Sequence, residues 1–278
     1  MYNTDLKDET FDISNAKQYS LLLQVLPLNF SYAIFDNQRS KFVVLRDISF
    51  KNSKTDYLNN LKELFKKDDS LNIEYQNTKA IIGSQNSIFV PKALFNKDKI
   101  FDILNFNTPI KKTETVLYDE LKNDTFNIYT FDKEILSEIK NTKFKNIELY
   151  NQGTVLFSKV IQKKASTKKR LIVDVNSVFF EIIYIENNQL IFRNIFSFTN
   201  ETDFVFYIIS VIDKFKIDNE NDELSISGIL TTNSKEIELL RKYIKRIRFK
   251  RTKQNYSYVF NDIDINIYTN LLNLQSCE

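Results

Sequence analysis

The chemistry this chain could carry rests on a handful of residues. Arg241, Lys242, Lys245, Arg246, Arg248, Lys250, Arg251 and Lys253 crowd into one short span, with Tyr243, Phe249 and Tyr256 among them. Cations interleaved with aromatic faces can hold RNA, through its phosphates and bases, or an acidic protein tail. A helix opening at Ser234 would place Ile237, Leu240, Ile244 and Ile247 on one face and most of the cations on the other. A solvated amphipathic helix is therefore the plainer account of the cluster. The acidic run from Asp218 to Glu223, just upstream, also blunts its field. Elsewhere, the apolar run Leu171-Ile172-Val173 ends in the carboxylate of Asp174. Asp262 and Asp264 are spaced to share one face of a strand, but alternation with Ile263 and Ile265 explains them without chemistry.

Absences narrow the chemistry further. The chain has no histidine. That removes Ser-His-Asp and Cys-His nucleophilic sites, histidine-containing zinc sites and the usual proton shuttle of neutral pH. The single cysteine, Cys277, cannot form an intramolecular disulfide or a cysteine-cluster metal site, and a reduced compartment is the default. Three glycines, Gly83, Gly153 and Gly228, are too few for a glycine-rich phosphate loop, and neither the dinucleotide-binding nor the P-loop pattern occurs. A net charge of +3 over 278 residues does not by itself point to a polyanion partner. With 42% apolar residues the chain can fill one large domain or two lobes. The opening MYNTDLKDETFDI is acidic and polar, with no signal core. No apolar run approaches the roughly 20 residues that span a bilayer. The expected location is the cytoplasm.

The elements that would position these residues follow a pattern stated twice. Residues 30–50 read FSYAIFDNQRSKFVVLRDISF, and residues 178–198 read VFFEIIYIENNQLIFRNIFSF. With one residue of slack in the turn, Leu45-Arg46-Asp47-Ile48 falls on Phe192-Arg193-Asn194-Ile195. Each copy is a strand, a polar turn and a second strand. Each follows another apolar strand, at 19–25 and 171–174, and precedes a helix and one more strand. Thr55-Asp56 can cap the first of those helices. Between the copies, strands at 115–118 and 125–131, a helix at 133–140, a strand at 146–150 and a helix at 154–162 predict a parallel sheet extending the first lobe. The basic stretch 163–170 then reads as an exposed boundary. It divides a first lobe, 1–165, with a small inserted segment near 85–112, from a second lobe, 166–278.

This order of elements resembles the actin-like fold shared by actin, sugar kinases and heat-shock chaperone ATPases. The nearest style is the bacterial branch of the type IV pilus platform protein and the cell-division actin homologue. There too, a strand-helix pair like residues 126–161 precedes a second lobe that opens on a strand ending in Asp, as LIVDVNS does here. Phe-Val-Pro at 89–91, VDVNS at 173–177 and the closing Leu-Gln-Ser-Cys-Glu are similar to an uncharacterised Bacteroidetes family, domain of unknown function 3822. That resemblance covers nearly all of the chain. It implies an α/β, two-lobed actin-like fold, ribonuclease H-like and duplicated, with mixed sheets flanked by helices.

The resemblance also implies where nucleotide would sit. Members that bind it grip the phosphates with one hairpin per lobe. Each hairpin has an Asp at the end of its first strand, for Mg²⁺ or water, and a Gly in its turn, for close backbone approach. The first-lobe counterpart, residues 23–29, has neither, and Pro27 lacks an N–H. The second-lobe counterpart keeps Asp174 and adds the hydroxyl of Ser177, with Asn176 where Gly is usual; Asn tolerates positive φ. The adenine-side turn retains one glycine, Gly228. The expectation is a cytoplasmic pseudo-ATPase without catalysis, metal or cofactor, ATP with Mg²⁺ being disfavoured. It acts as a scaffold for a protein partner or for itself, at the cleft between lobes or an open sheet edge. One alternative is a nucleotide-binding or weakly ATP-hydrolysing protein using Asp174, Asn176, Ser177 and Gly228. The other is an RNA-associated protein using the 241–253 cations.

Overall fold

The computed structural model describes residues 2–50, 54–122, 124–144, 146–161, 169–218 and 222–277, with the backbone alone at 54 and 55. Most of the boundary stretch 163–170 and half of the acidic run 218–223 thus lie outside the described residues, as does the side chain of Thr55. The chain divides into two compact units. Unit 1 takes Met1–Val155, Lys253–Ile263 and Leu271–Glu278; unit 2 takes Leu156–Thr252 and Asp264–Asn270. A single cut after residue 165 does not describe this division, because closing segments of the chain belong to unit 1. Asn255 accepts from the Phe42 N–H, and Ser257 bonds to buried Asp8.

Unit 1 is built on β1 (Thr4–Lys7), β2 (Tyr19–Leu26), β3 (Asn29–Asp36), β4 (Lys41–Ser49), α1 (Lys54–Lys67) and β5 (Asn77–Ile82). There follow β6 (Ser87–Pro91), α2 (Ile100–Asn107), β7 (Glu114–Leu121), β8 (Thr125–Asp132), α3 (Lys133–Lys140) and β9 (Glu148–Asn151). The main sheet runs β1-β4-β3-β2-β5-β9. β2, β3 and β4 form an antiparallel meander, and β5 and β9 join in parallel. β2 is buried along its whole length, which is why YSLLLQVL reads as an apolar run instead of an alternation. One face carries Leu21, Leu23, Phe30, Tyr32 and Ile34 into a core completed by Leu61 and Phe65 of α1 and Ile135 and Ile139 of α3.

A second sheet, β6-β8-β7, packs against α2 through Leu104, and Phe95 stacks on Phe126 with ring centroids 3.7 Å apart. Here the expected parallel extension fails. β7 and β8 pair antiparallel, Leu121 opposite Thr125 and Glu114 opposite Asp132. The connection is too short for a parallel crossover, which needs a dozen residues or more, and suits only a hairpin. Of the predicted extension, β9 alone reaches the main sheet.

Unit 2 begins within α4 (Gln152–Ile161), at Leu156, and continues with β10 (Arg170–Val175), β11 (Phe179–Glu186), β12 (Gln189–Ser197) and α5 (Glu201–Phe215). The chain then adds β13 (Glu223–Gly228), α6 (Lys235–Leu240) and β14 (Ile247–Phe249), and of α7 (Thr269–Asn273) the first two residues belong to unit 2 and the rest to unit 1. The sheet order is β12-β11-β10-β13-β14. Phe204, Ile208 and Ile212 of α5 and Ile237 and Leu240 of α6 cover the face bearing Leu171, Val173, Phe180, Ile182 and Tyr184.

The repeated pattern is a repeated register. Leu21 pairs with Ile34 as Leu171 pairs with Tyr184, and Gln24 with Ser31 as Asp174 with Glu181. A bulge follows Ile34 in one meander and Tyr184 in the other, so Val44 and Phe192 correspond. Counting on, Arg46 corresponds to Asn194 and Leu45 to Arg193. The alignment of Arg46 with Arg193 read from sequence is therefore one residue out, and a one-residue slip turns a side chain to the opposite face.

Two further expectations are corrected. The helix from Ser234 ends at Leu240; turns follow, and Ile247 lies in β14, parallel to β13. Pairing with an open strand outweighs continued helical spacing. Asp262 and Asp264 share no strand: Asp264 instead accepts from the Asn266 N–H at the start of a 3-10 turn, Ile265–Tyr268.

Candidate functional site

The polar end of β10 gathers the second-lobe residues. Asp174 is buried, and its Oδ1 accepts from Ser227 Oγ at 2.5 Å and from Asn270 Nδ2 at 2.8 Å. Ser227 is in place because β13 runs parallel to β10 with Asp174 opposite Ser227 and Val175 opposite Gly228. Gly228 has φ +92, and a Cβ there would meet the Val175 carbonyl oxygen at 1.9 Å. This glycine is thus required by the tight turn at the strand end, where Ile229 N–H donates to that same oxygen at 2.9 Å.

The turn after Val175 is held from within. Asn176 Oδ1 accepts from the N–H groups of Val178 and Phe179, both at 2.9 Å, and Asn176 N–H donates to Phe179 O at 3.0 Å. Such a side-chain-to-backbone turn takes up donors that a phosphate would otherwise meet. Ser177 is exposed at its tip.

Across the strand pair lies Glu181, buried beside Asp174 and bonded by Arg193 Nε at 2.6 Å. Burial pushes its carboxyl above the usual range and Asp174 adds to that, while Arg193 opposes both. Sequence reasoning overlooked Glu181, Arg193 and Asn270. The first two carried a signal: each is a charge set mid-strand among mostly apolar residues, in FFEIIYIE and QLIFRNIFS. Asn270 carried none, being close only in space.

The first-lobe counterpart is different in kind. Gln24 and Ser31 stand where Asp174 and Glu181 do, and Pro27 and Leu28, with φ +63 at Leu28, make the turn. This turn borders a concavity of about 470 Å³ within unit 1, lined by Leu26, Leu28, Tyr57, Phe131 and Ile135 among others.

The cations of 241–253 do not form one face of a helix. Arg241 donates to Thr232 O at 3.1 Å, and Arg248 pairs with Glu223 at 3.3 Å. Lys242, Lys245, Arg246 and Arg251 are exposed on turns around β14, Lys250 is half-buried, and Lys253 belongs to unit 1. Among the described residues no cluster of three or more Cys, Asp or Glu is placed to hold a metal. No helix among them is long and apolar enough to cross a membrane.

This architecture has known counterparts. A Bacteroides thetaiotaomicron VPI-5482 protein with an actin-like ATPase fold and unknown function superposes with a TM-score of 0.81 at 22% identity, over 97% of this chain and 100% of that one. A structure of the PilM–PilN type IV pilus biogenesis complex matches with a TM-score of 0.59 at 8% identity, over 92% and 97%. No curated protein matches the chain. The fold is actin-like, as the order of elements implied. The family model for proteins of unknown function designated DUF3822 matches residues 8–247, and the chain belongs to that family.

Proposed function

We propose that this protein is a cytoplasmic, non-catalytic member of the actin-like superfamily that works by holding another protein. One observation carries the non-catalytic part. The hairpin of one unit lacks a donor at Pro27, and in the other unit Asn176 occupies the donors of Val178 and Phe179. Asp174 supports the same reading, since Ser227 and Asn270 already bond its Oδ1. A phosphate reaching the turn donors would have to displace Asn176 Oδ1, whose bond from Phe179 N–H is buried, and leave that oxygen unsatisfied.

The holding part rests on the concavity beside Leu26-Pro27-Leu28. Its apolar lining suits side chains of an extended segment, a common recognition mode. PilM, solved with PilN, is a structural neighbour that carries a partner.

Calorimetry with Mg-ATP tests the first part. The expected result is no binding tighter than about millimolar, a scale of about 4 kcal/mol. Micromolar affinity abolished by Asp174→Ala would replace this reading with a nucleotide-binding one. Hydrogen exchange on complexes recovered from the native host tests the second. Protection is expected near residues 21–36 or 171–185, and protection confined to 241–253 would move the interaction to the basic cluster.

A further inference from the structure

The matched registers expose one unmatched feature. In unit 1 the outer edge of β4 is covered by β1, antiparallel, with Thr4 opposite Asp47 and Lys7 opposite Val44. In unit 2 the corresponding strand, β12, ends the sheet, and no strand among the described residues pairs with its outer side. β12 spans Gln189–Ser197, with no proline and no lysine to blunt an edge. Beside it, Phe196 stacks on Tyr207 at 4.7 Å, Phe192 meets Phe215 at 5.3 Å, and Phe206 is 64% exposed. An edge of this length flanked by aromatic surface is a template for strand addition.

We propose that two copies of this chain join through β12, antiparallel about a two-fold axis at Asn194, into one continuous sheet. The occupant follows from what covers β4. There Asp5 of β1 pairs with Arg46 at 2.6 Å. Asn194 stands at the position of Arg46, so an acidic strand like β1 meets no cation on β12. A neutral strand bearing aromatic residues fits instead, and β12 is such a strand. Its one charge, Arg193, is 5% exposed and turned to Glu181.

The register is set by the same residues. Asn3 and Asp8 donate to the carbonyls of Asp47 and Val43, so those positions of β4 point outward. Their counterparts on β12 are Ile195 and Ile191. With the axis at Asn194, Phe192 of each copy lies opposite Phe196 of the other, and aromatic cross-strand pairs are favourable. An axis at Arg193 would set two arginines face to face. In the single chain Asn194 Oδ1 accepts from the Ile195 N–H at 2.9 Å. In the pair that N–H meets the main chain of the second copy, and the two Asn194 amides, directly opposite, bond each other.

This inference does not rest on the reading of nucleotide or of the concavity, and its test is separate from theirs. Light scattering on the full chain should give twice the 32.9 kDa of one copy as concentration rises. Asn194→Lys places two ammonium groups together and should halve the mass while leaving the circular dichroism of the folded chain unchanged, because residue 194 is exposed. Asn194→Cys should give a disulfide-linked dimer on mild oxidation, since opposed Cβ atoms of such a pair approach to about 4.5–5.5 Å. The native Cys277 is buried and serves as the uncrosslinked control in the parent chain. A chain monomeric at its solubility limit, or a dimer that both keeps its mass with Asn194→Lys and fails to crosslink with Asn194→Cys, overturns the proposal.

Discussion

The two meanders share strand order, register and bulge, yet they place their buried charges on opposite faces. In unit 1, Arg46 lies on the core side. It reaches Tyr32 Oη at 2.7 Å and Asp68 at 3.0 Å, and Tyr2 also bonds Asp68. In unit 2, Asn194 holds that position, and Arg193, one residue earlier, serves Glu181 on the reverse face. The strand-end pair Gln24–Ser31 is neutral, while Asp174–Glu181 brings two carboxylates together. A duplicated backbone therefore does not imply duplicated chemistry. Side-chain alternation lets a single-residue shift move an ion pair across a sheet without disturbing a hydrogen bond of the ladder.

The largest test of this comparison is Glu181→Ala. It leaves Arg193 buried without its carboxylate, and breaking a buried pair costs about 3–5 kcal/mol. Chemical denaturation should show that loss, whereas Ser31→Ala, at the matching place, should cost less than about 1 kcal/mol. Equal losses would dissolve the contrast. Next in size is Gly228→Ala, which forces a Cβ onto the Val175 carbonyl at positive φ and should cost about 2–4 kcal/mol. Its counterpart, Ile82, already carries a side chain there. Arg46→Ala follows, at about 1–3 kcal/mol, because Tyr2 and Tyr32 still donate to Asp68 after the cation is gone.

A smaller effect separates the units by pH. Burial works to raise the Asp68 carboxyl, but Tyr2, Tyr32 and Arg46 outweigh it and hold it below the usual 3.8. Its contribution to stability is thus complete above that value and lost as pH falls below it. Burial raises Glu181 above the usual 4.5, so its contribution is present below 4.5 and lost as pH rises through the raised value. Asp68→Asn should flatten the acid limb of a stability profile and Glu181→Gln the limb above it. If both variants flatten the same limb, the opposition between the units is wrong. Smallest of all should be the response of the 241–253 turns to RNA. With Arg248 paired to Glu223, binding is expected to be weak or absent. A submicromolar, salt-sensitive complex lost when Arg246, Arg248 and Arg251 become Glu would reverse that ranking.

Strand and helix identities were legible because they depend on near neighbours. Apolar runs such as YSLLLQVL and FFEIIYIE, helical spacing in α3 and the Asn187-Asn188 turn, with φ 51 and 62, state their conformation locally. The duplication was visible for the same reason, and with it the actin-like order. Face and register were not legible. Arg46 and Arg193 occupy similar local sequence, and only the strand pairing, Arg46 opposite Tyr32 and Arg193 opposite Ile183, determines which side of its sheet each one enters. The path after Leu240 was likewise decided by an unpaired edge of β13, a partner remote in sequence. Asn270 reaches Asp174 across 96 residues, and Ser227 reaches it through a parallel pairing. Sequence alone determined the elements, whose energetics are local. The tertiary structure decided which polar groups meet, because a buried charge or donor is stable only where long-range packing delivers its partner.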